Sequence, residues 1–388
     1  MVNRFYTQEF FELIKKHLKK NGILCLSLPG SLSYLSDEQA DLNKCIFKTL
    51  STKFSQIEGI AGYYNIYLAS QSENFTLTPA RIKEGLTKNN IPSALFTKGY
   101  IQHRLSPEYK NWFYERLKER EVRLNKDLEP VGVFYSIGLW NALFTPAFQK
   151  TFKLAAKLDL KTSAGIIFLS LPVFLCLVWF KRKSTKSIIP NIISPLLVLG
   201  TGFSGVSLNL ILLLSLQTFY GYVYSHIGLL LSGFMVGLTM GSLLMSKKLK
   251  RIDNAIALLV KIDSGFVIFC LIFPLILLGL QFLVRQNVFF FLMLIILVKI
   301  SVFIGFIVGL EFPLTNKIYL ERKHRGKVPA NILYAVDMLG AFFGAILITV
   351  LLIPVLGIIN TVIFIFLVKL SIFILLATSF VCWGRKHP

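Results

Sequence analysis

The chain has 388 residues, of which 54% are hydrophobic and only 16% are charged, and its mean hydropathy of +0.63 excludes an ordinary soluble domain. The net charge of +22 would suit a nucleic-acid-binding protein. However, the basic residues of the C-terminal half lie in short loops between apolar segments, where they act as signals of membrane orientation, so we expect no nucleic-acid partner.

The first elements along the chain predict an α/β module. Residues 8–20 have the pattern of an amphipathic helix, and the apolar run 23–28 predicts a strand buried on both faces, as inside a parallel sheet. A helix over 35–54 follows, and then two short antiparallel strands joined at Gly62.

Residues 78–124 are predicted to be mostly helical, with breaks near Pro92 and Pro107. A strand that is buried on both faces needs a neighbouring strand on each side and helices above and below it. Three strands do not supply this, so the α/β module is incomplete unless another chain finishes it. The predicted fold class is therefore a mainly α-helical polytopic membrane bundle preceded by an incomplete, Rossmann-like α/β segment.

The charge distribution gives the domain boundaries. Residues 1–162 hold 15 of the 20 acidic residues and 23 of the 42 basic ones. We predict a partial α/β domain at 1–130, an interfacial or membrane-entering linker at 131–162, and a transmembrane domain at 163–388.

Seven apolar segments are long enough to cross a bilayer. The predicted spans are 163–180, 190–217, 223–246, 254–283, 287–310, 331–356 and 358–383.

The loops between these spans alternate in charge, and the basic loops follow the first, third and fifth spans and the last. By the positive-inside rule these loops and the C-terminus are cytoplasmic, which predicts an integral protein of a bacterial inner membrane. Glu9 and Glu12 precede the first apolar stretch, so we expect no signal peptide. We expect the N-terminal module to be cytoplasmic as well, which requires an even number of crossings. Residues 131–148 could supply an eighth span, but lysines 150–161 would then be external, and their spacing instead indicates one face of a surface helix.

Glycines and ionisable residues stand out within the predicted spans. Close helix packing is the predicted role of the glycines Gly233, Gly237, Gly241, Gly340 and Gly344. The intramembrane polar candidates are Lys261, Asp263, Glu311 and Asp337, and Lys299 and Lys369 also lie within spans. Each costs roughly 2.5–3.5 kcal/mol at the bilayer centre, so either they fix the geometry of the bundle or they line a path for a substrate or proton.

Two of these residues need partners on other helices. Lys261 and Asp263 are two positions apart, so their side chains point about 200° apart around the helix axis. The cysteines Cys25, Cys45, Cys176, Cys270 and Cys382 are scattered without metal-ligand spacing, so we predict buried free thiols and no metal site.

Several stretches resemble one family. Residues 3–31 resemble the closing segment of spermidine synthase-like aminopropyltransferase domains that are fused to membrane helices, and residues 124–140 resemble that family's exit from the soluble domain. The membrane half is similar to the family at residues 201–242, 309–320 and 333–358, although Asn209 stands where the family often has an acid.

The resemblance implies a polyamine-related transferase that uses decarboxylated S-adenosylmethionine. In that family, the glycine-rich cofactor turn, the acid that holds the ribose and the catalytic aspartate all precede the region seen here, and the chain has no such turn. We therefore assign no catalytic and no cofactor-binding residue to it. The bilayer, a separate N-terminal half-protein and a polyamine substrate are the expected partners.

Three hypotheses follow. The chain is one part of a split aminopropyltransferase-like enzyme, or a membrane carrier or channel for a small cation or amine with a vestigial soluble domain, or a truncated remnant without activity.

Overall fold

The computed structural model describes residues 3–72, 75–91, 97–144, 160–162, 164–165, 192–220, 224–285, 290–322 and 331–384. The chain divides into two compact units, Met1–Ala156 and Lys157–Pro388.

The first unit is an α/β unit, and side chains cap the start of several of its helices. Ser36 and Gln39 form a capping box at one of them, and the side chain of Thr7 accepts a hydrogen bond from Phe10 N at another. Its elements are α1 (Gln8–His17), β1 (Ile23–Pro29), α2 (Asp37–Ser51), β2 (Gln56–Ile60), β3 (Tyr64–Ser70), α3 (Pro79–Lys88), α4 (Lys98–Arg104), α5 (Pro107–Lys118) and α6 (Val131–Phe144).

The sheet has the strand order β1-β3-β2, and β3 runs antiparallel to both neighbours. Tyr67 of β3 lies opposite Leu26 on one side and Gly59 on the other. It follows that β1 and β2 are parallel to each other, that α2 is the crossover between them, and that β3 is inserted into this βαβ unit.

The prediction that β1 is buried on both faces is wrong, because one face of this edge strand is exposed. Leu28 is buried and Leu24 and Leu26 are half-buried, whereas Ile23 is 51% exposed and Cys25 is exposed. An apolar run of this length is compatible with an edge strand as well as with a central one, and only the pairing distinguishes them.

The core of the first unit contains a buried amide at its centre. Asn43 Oδ1 accepts hydrogen bonds from Asn65 Nδ2 at 2.9 Å and from the Tyr67 hydroxyl at 2.8 Å, while Asn43 Nδ2 donates to the carbonyl oxygen of Pro29 at 3.0 Å. This network connects α2 to β1 and β3 inside an apolar cluster that includes Phe11.

Helix α6 belongs to the first unit. It packs against α2 and contributes Leu139 to the apolar core, and Asn125 Oδ1 accepts the backbone N–H of Gly132 at 2.9 Å. Its 14 described residues are fewer than the roughly 20 that a helical span needs. The first unit thus continues past residue 130, and residues 145–148 of the predicted eighth span lie outside the described residues.

The second unit consists of long apolar helices. They are α7 (Ser194–Tyr220), α8 (Tyr224–Lys248), α9 (Ala255–Arg285), α10 (Phe290–Arg322), α11 (Asn331–Ile346), a π-helical turn (Leu347–Leu352), α12 (Ile353–Leu356) and α13 (Ile358–Gly384). By length and composition they supply six candidate membrane spans within the described residues, which identifies an integral membrane protein. Six of the seven predicted spans are confirmed as long apolar helices, and nearly all of the first, 163–180, lies outside the described residues.

Glycines bring two pairs of helices into backbone contact. A Cβ atom at Gly237 or Gly241 of α8 would overlap a backbone oxygen of α10, and one at Gly340 of α11 would overlap the carbonyl oxygen of Leu199 on α7. Gly344 lies against Phe203 and Ser207 in the same α7–α11 contact. At Gly233, by contrast, an added Cβ would make ordinary van der Waals contacts.

The prediction that the cysteines are buried free thiols holds at two of the sites described. Cys45 and Cys270 are buried and free, whereas Cys25 is free but exposed, because it lies on the open face of β1. Cys176 and the side chain of Cys382 lie outside the described residues.

Candidate intramembrane ion site

Four side chains from three helices surround one buried lysine, which comes from a fourth helix. Thr201 comes from α7, Asp263 and Phe266 from α9, Glu311 from α10 and Lys369 from α13. The four that surround Lys369 are called the ammonium cage below. Lys369 and Asp263 are 0% exposed and Glu311 is 1% exposed, so the charges are removed from solvent.

The ammonium group of Lys369 has three oxygen partners, two through hydrogen bonds and one, Asp263 Oδ1, through an ion pair alone. Nζ lies 2.6 Å from Asp263 Oδ1, and it donates to Glu311 Oε2 at 3.0 Å and to Thr201 Oγ1 at 2.8 Å. The Thr201 hydroxyl in turn donates to Glu311 Oε2. The ring of Phe266 faces the same nitrogen with its centroid 4.7 Å away, which adds a cation–π contact.

Helix geometry explains why Asp263 takes part and its neighbour Lys261 does not. Asp263 and Phe266 are three positions apart on α9 and therefore share a face. Lys261 lies on the opposite side of the helix, where its side chain is exposed, as the spacing of about 200° requires.

The cage and Lys369 together carry more negative than positive charge. Two carboxylates surround one ammonium, which gives a formal sum of −1 when all three are ionised. Glu311 Oε1 and Asp263 Oδ2 are buried without a hydrogen-bond partner among the described residues. Removing an ion from water costs several kcal/mol, so these two oxygens favour a further hydrogen-bond donor or cation.

The cage lies well inside the bundle. Asp263 is eight residues from the start of α9, and Glu311 is eleven residues before the end of α10. At a rise of 1.5 Å per residue these separations correspond to roughly 12–17 Å from the helix ends that carry the basic loops. A charged group at that depth is far more costly than one that reaches the interface.

A second polar contact joins α7 to α10. Ser301 Oγ lies 2.7 Å from Asn209 Oδ1 and 2.8 Å from the carbonyl oxygen of Leu230, and both side chains are buried. Asn209 is eight residues beyond Thr201 on α7, or roughly 12 Å along the helix axis. The buried hydroxyls of Ser204 and Ser215 lie within about 60° of Thr201 around α7 and have no hydrogen-bond partner among the described residues.

The polar residues selected from the sequence are thus divided between three places. Asp263 and Glu311 meet in the cage, and Lys261 is exposed. Asp337 is half-buried on α11, where its Oδ1 lies against Gly202 of α7, outside the cage. Lys299 is exposed.

The sequence marks Lys369 only as an intramembrane lysine, and it does not point to Thr201 or Phe266. A signal for Lys369 exists, since its helix contains no acidic residue and its partner therefore has to come from another span. Thr201 and Phe266 carry no such signal, because threonine and phenylalanine are common in apolar helices.

No group of three histidine, cysteine, aspartate or glutamate side chains suited to a metal ion occurs in the part of the chain that the structure describes. The comparisons with known proteins found no matching family model, no matching curated protein and no matching solved structure.

Proposed function

We propose that the chain is a membrane carrier for a small monovalent cation and that the ammonium cage is its ion-binding site. The observation that carries this proposal is the pair of buried carboxylates, Asp263 and Glu311, that share a single ammonium. A further monovalent cation would bring their formal charge, together with that of Lys369, to zero. Ionisable groups at this depth mark ion and substrate pathways in membrane proteins.

The burial of the cage favours a carrier over a channel. Lys369 and Asp263 are both 0% exposed, so solvent does not reach their side chains from either side. A channel holds its ion site in a continuous aqueous pore, whereas a carrier encloses the site and opens it to each side in turn. We infer that this conformation is an occluded state.

The polar groups on α7 give the proposed path a direction. Ser204, Asn209 and Ser215 follow Thr201 along this helix, and all are buried. Ser215 is fourteen residues from Thr201, which is roughly 21 Å along the axis and leaves only one to two turns to the helix end at Tyr220. In the proposal, these groups line the way from the cage to the face opposite the basic loops.

The test is a flux measurement on purified protein in liposomes. An imposed membrane potential drives uptake, which is followed with an internal pH dye for protons and with tracer for Na⁺ and methylammonium. We expect uptake by the wild type and its loss in Asp263→Asn and Glu311→Gln. Lys261→Gln is the matched control, because its side chain is exposed on the same helix as Asp263. If the two cage variants are folded and transport as well as Lys261→Gln, the proposal is wrong.

A second candidate function rests on the first unit and its resemblance to spermidine synthase-like domains. The resemblance implies aminopropyl transfer to a polyamine from decarboxylated S-adenosylmethionine, with a separate N-terminal half-protein that supplies the cofactor turn and the catalytic aspartate. The favouring observation is that β1 pairs only with β3 among the described residues, so its other edge is free to accept a strand. A β1-α2-β2 crossover is also the unit from which doubly wound sheets are built.

Native purification tests this second candidate. The chain is tagged at its C-terminus, solubilised gently from its source cell and analysed by mass spectrometry. We expect a co-purifying chain with a glycine-rich nucleotide turn, and purification of the chain alone would exclude transferase activity by this route.

A further inference from the structure

The ammonium of Lys369 occupies a site whose parts recognise any primary ammonium. Glu311 Oε2 and Thr201 Oγ1 accept hydrogen bonds from it at 3.0 and 2.8 Å, Asp263 Oδ1 forms an ion pair with it at 2.6 Å, and an aromatic face completes the shell. A Na⁺ ion would select more oxygen ligands and no aromatic ring, whereas an aromatic face with a few convergent oxygens is the arrangement that suits an organic ammonium.

We propose that the ammonium cage is a binding site for the terminal ammonium of a primary alkylamine, and that Lys369 is its tethered occupant. The alkylamine takes the place of the Lys369 ammonium when that side chain swings away, and it makes the same contacts to Asp263, Glu311, Thr201 and Phe266. The inference rests on the proposed carrier function and narrows its substrate to a chemical class.

The charge of the cage supports exchange at this site. Replacing one ammonium by another leaves the carboxylates with a cation, and because two carboxylates balance two ammonium groups, the displaced Lys369 can remain paired beside them. The unpartnered oxygens Glu311 Oε1 and Asp263 Oδ2 offer further acceptors to the entering group while the lysine leaves.

The length of the lysine side chain provides a sharp test. Lys369→Ala removes the atoms from Cγ to Nζ, which correspond to n-propylammonium, and Lys369→Gly removes one more carbon, which corresponds to n-butylammonium. In each variant, the amine that matches the deleted atoms therefore fits the space left beside the cage. A ligand that binds only the folded state raises the unfolding midpoint in proportion to the logarithm of its concentration.

The experiment measures thermal unfolding of the purified full chain with methyl-, ethyl-, n-propyl- and n-butylammonium. Tetramethylammonium, which carries the charge without N–H donors, and 1-propanol, which carries neither charge nor ammonium, are the controls. We expect n-propylammonium to protect Lys369→Ala best and n-butylammonium to protect Lys369→Gly best, each at a roughly tenfold lower concentration than the other amine. Asp263→Asn in the Lys369→Ala background should abolish the protection.

Wild-type protein is titrated in parallel, and it should be protected more weakly because Lys369 competes for the cage. The proposal is overturned if both variants respond equally to all amines and to tetramethylammonium. It is equally overturned if neither variant folds with any amine and the wild type shows no preference for primary amines.

The two proposals fail in different ways. Cation flux in liposomes without any amine preference in the variants leaves the carrier function standing and removes the alkylamine assignment. Length-matched protection without flux shows that the cage binds amines in a protein that does not carry them.

Discussion

The ammonium nitrogen of Lys369 lies 2.6 Å from Asp263 Oδ1, and both side chains are fully buried between membrane helices. Neither residue is stable in this position alone, because each would be an unpaired ion in a low-dielectric interior. The pair, together with Glu311, couples the positions of α9, α10 and α13.

This contact predicts that the free energy of unfolding depends on having all three charged residues, Lys369, Asp263 and Glu311, present together. Lys369→Met leaves two buried carboxylates without a cation and should lower the free energy of unfolding by about 3–5 kcal/mol. The triple variant Lys369→Met, Asp263→Leu, Glu311→Leu removes all three charges and should recover most of that loss. Thermal unfolding in detergent distinguishes the two, and a triple variant no more stable than Lys369→Met would show that the loss comes from packing rather than charge.

A second prediction concerns the contact between α8 and α10. Gly237→Ala places a methyl group onto the carbonyl oxygen of Val302, which belongs to the backbone and cannot rotate away, so the helices must separate. We expect a loss of about 1–3 kcal/mol.

Gly233→Ala is its matched control on the same helix, because the nearest atom to the added methyl is a side-chain carbon of Val298 at 3.4 Å, which is ordinary contact. We expect an unfolding midpoint within a few degrees of wild type for Gly233→Ala and a clear decrease for Gly237→Ala. Equal midpoints in the two variants would contradict the close backbone contact.

The helical architecture of the second unit could be predicted from the sequence because membrane spans depend on length and composition alone. The partnership of the charged residues could not. Asp263 and Lys369 are more than 100 positions apart, and hydropathy contains no information about which faces of two distant helices meet. The separation of Lys261 from Asp263 could be predicted, since it follows from spacing within one helix.

The first unit shows the same division between local and long-range features. The hairpin around Gly62 follows from turn chemistry and short strands, whereas the burial of β1 depends on what lies beside it. Half-buried Leu24 packs against the apolar core of the unit, whereas Cys25 on the other face of the strand is exposed, and this difference depends on which face the core covers. An apolar run without polar residues conceals that difference.

A third prediction compares two thiols of the first unit. Burial raises the pKa of the Cys45 thiol to about 12, and the neighbouring positive charges of Arg123 and Lys48 only partly oppose this. The thiolate is the reactive species, so Cys45 should resist a maleimide at pH 8 while exposed Cys25 is modified. Peptide mapping by mass spectrometry measures the two sites separately in the folded chain, and both should react after denaturation. Modification of Cys45 at the rate of Cys25 in the folded chain would show that the α2 core opens readily.

The final prediction concerns the amide at the centre of the first unit. Tyr67→Phe removes one donor to Asn43 Oδ1 but leaves the bond from Asn65 Nδ2, so the cost should be about 0.5–1.5 kcal/mol. Asn43→Leu removes the acceptor from both donors at once and leaves them unsatisfied within the core. Because each buried donor without a partner costs about 1–3 kcal/mol, Asn43→Leu should be clearly the more damaging change. Pulse proteolysis of the full chain in increasing urea, with cleavage followed in the first unit, gives both values. The opposite order would mean that the tyrosine ring, and not the hydrogen-bond network, holds α2 against the sheet.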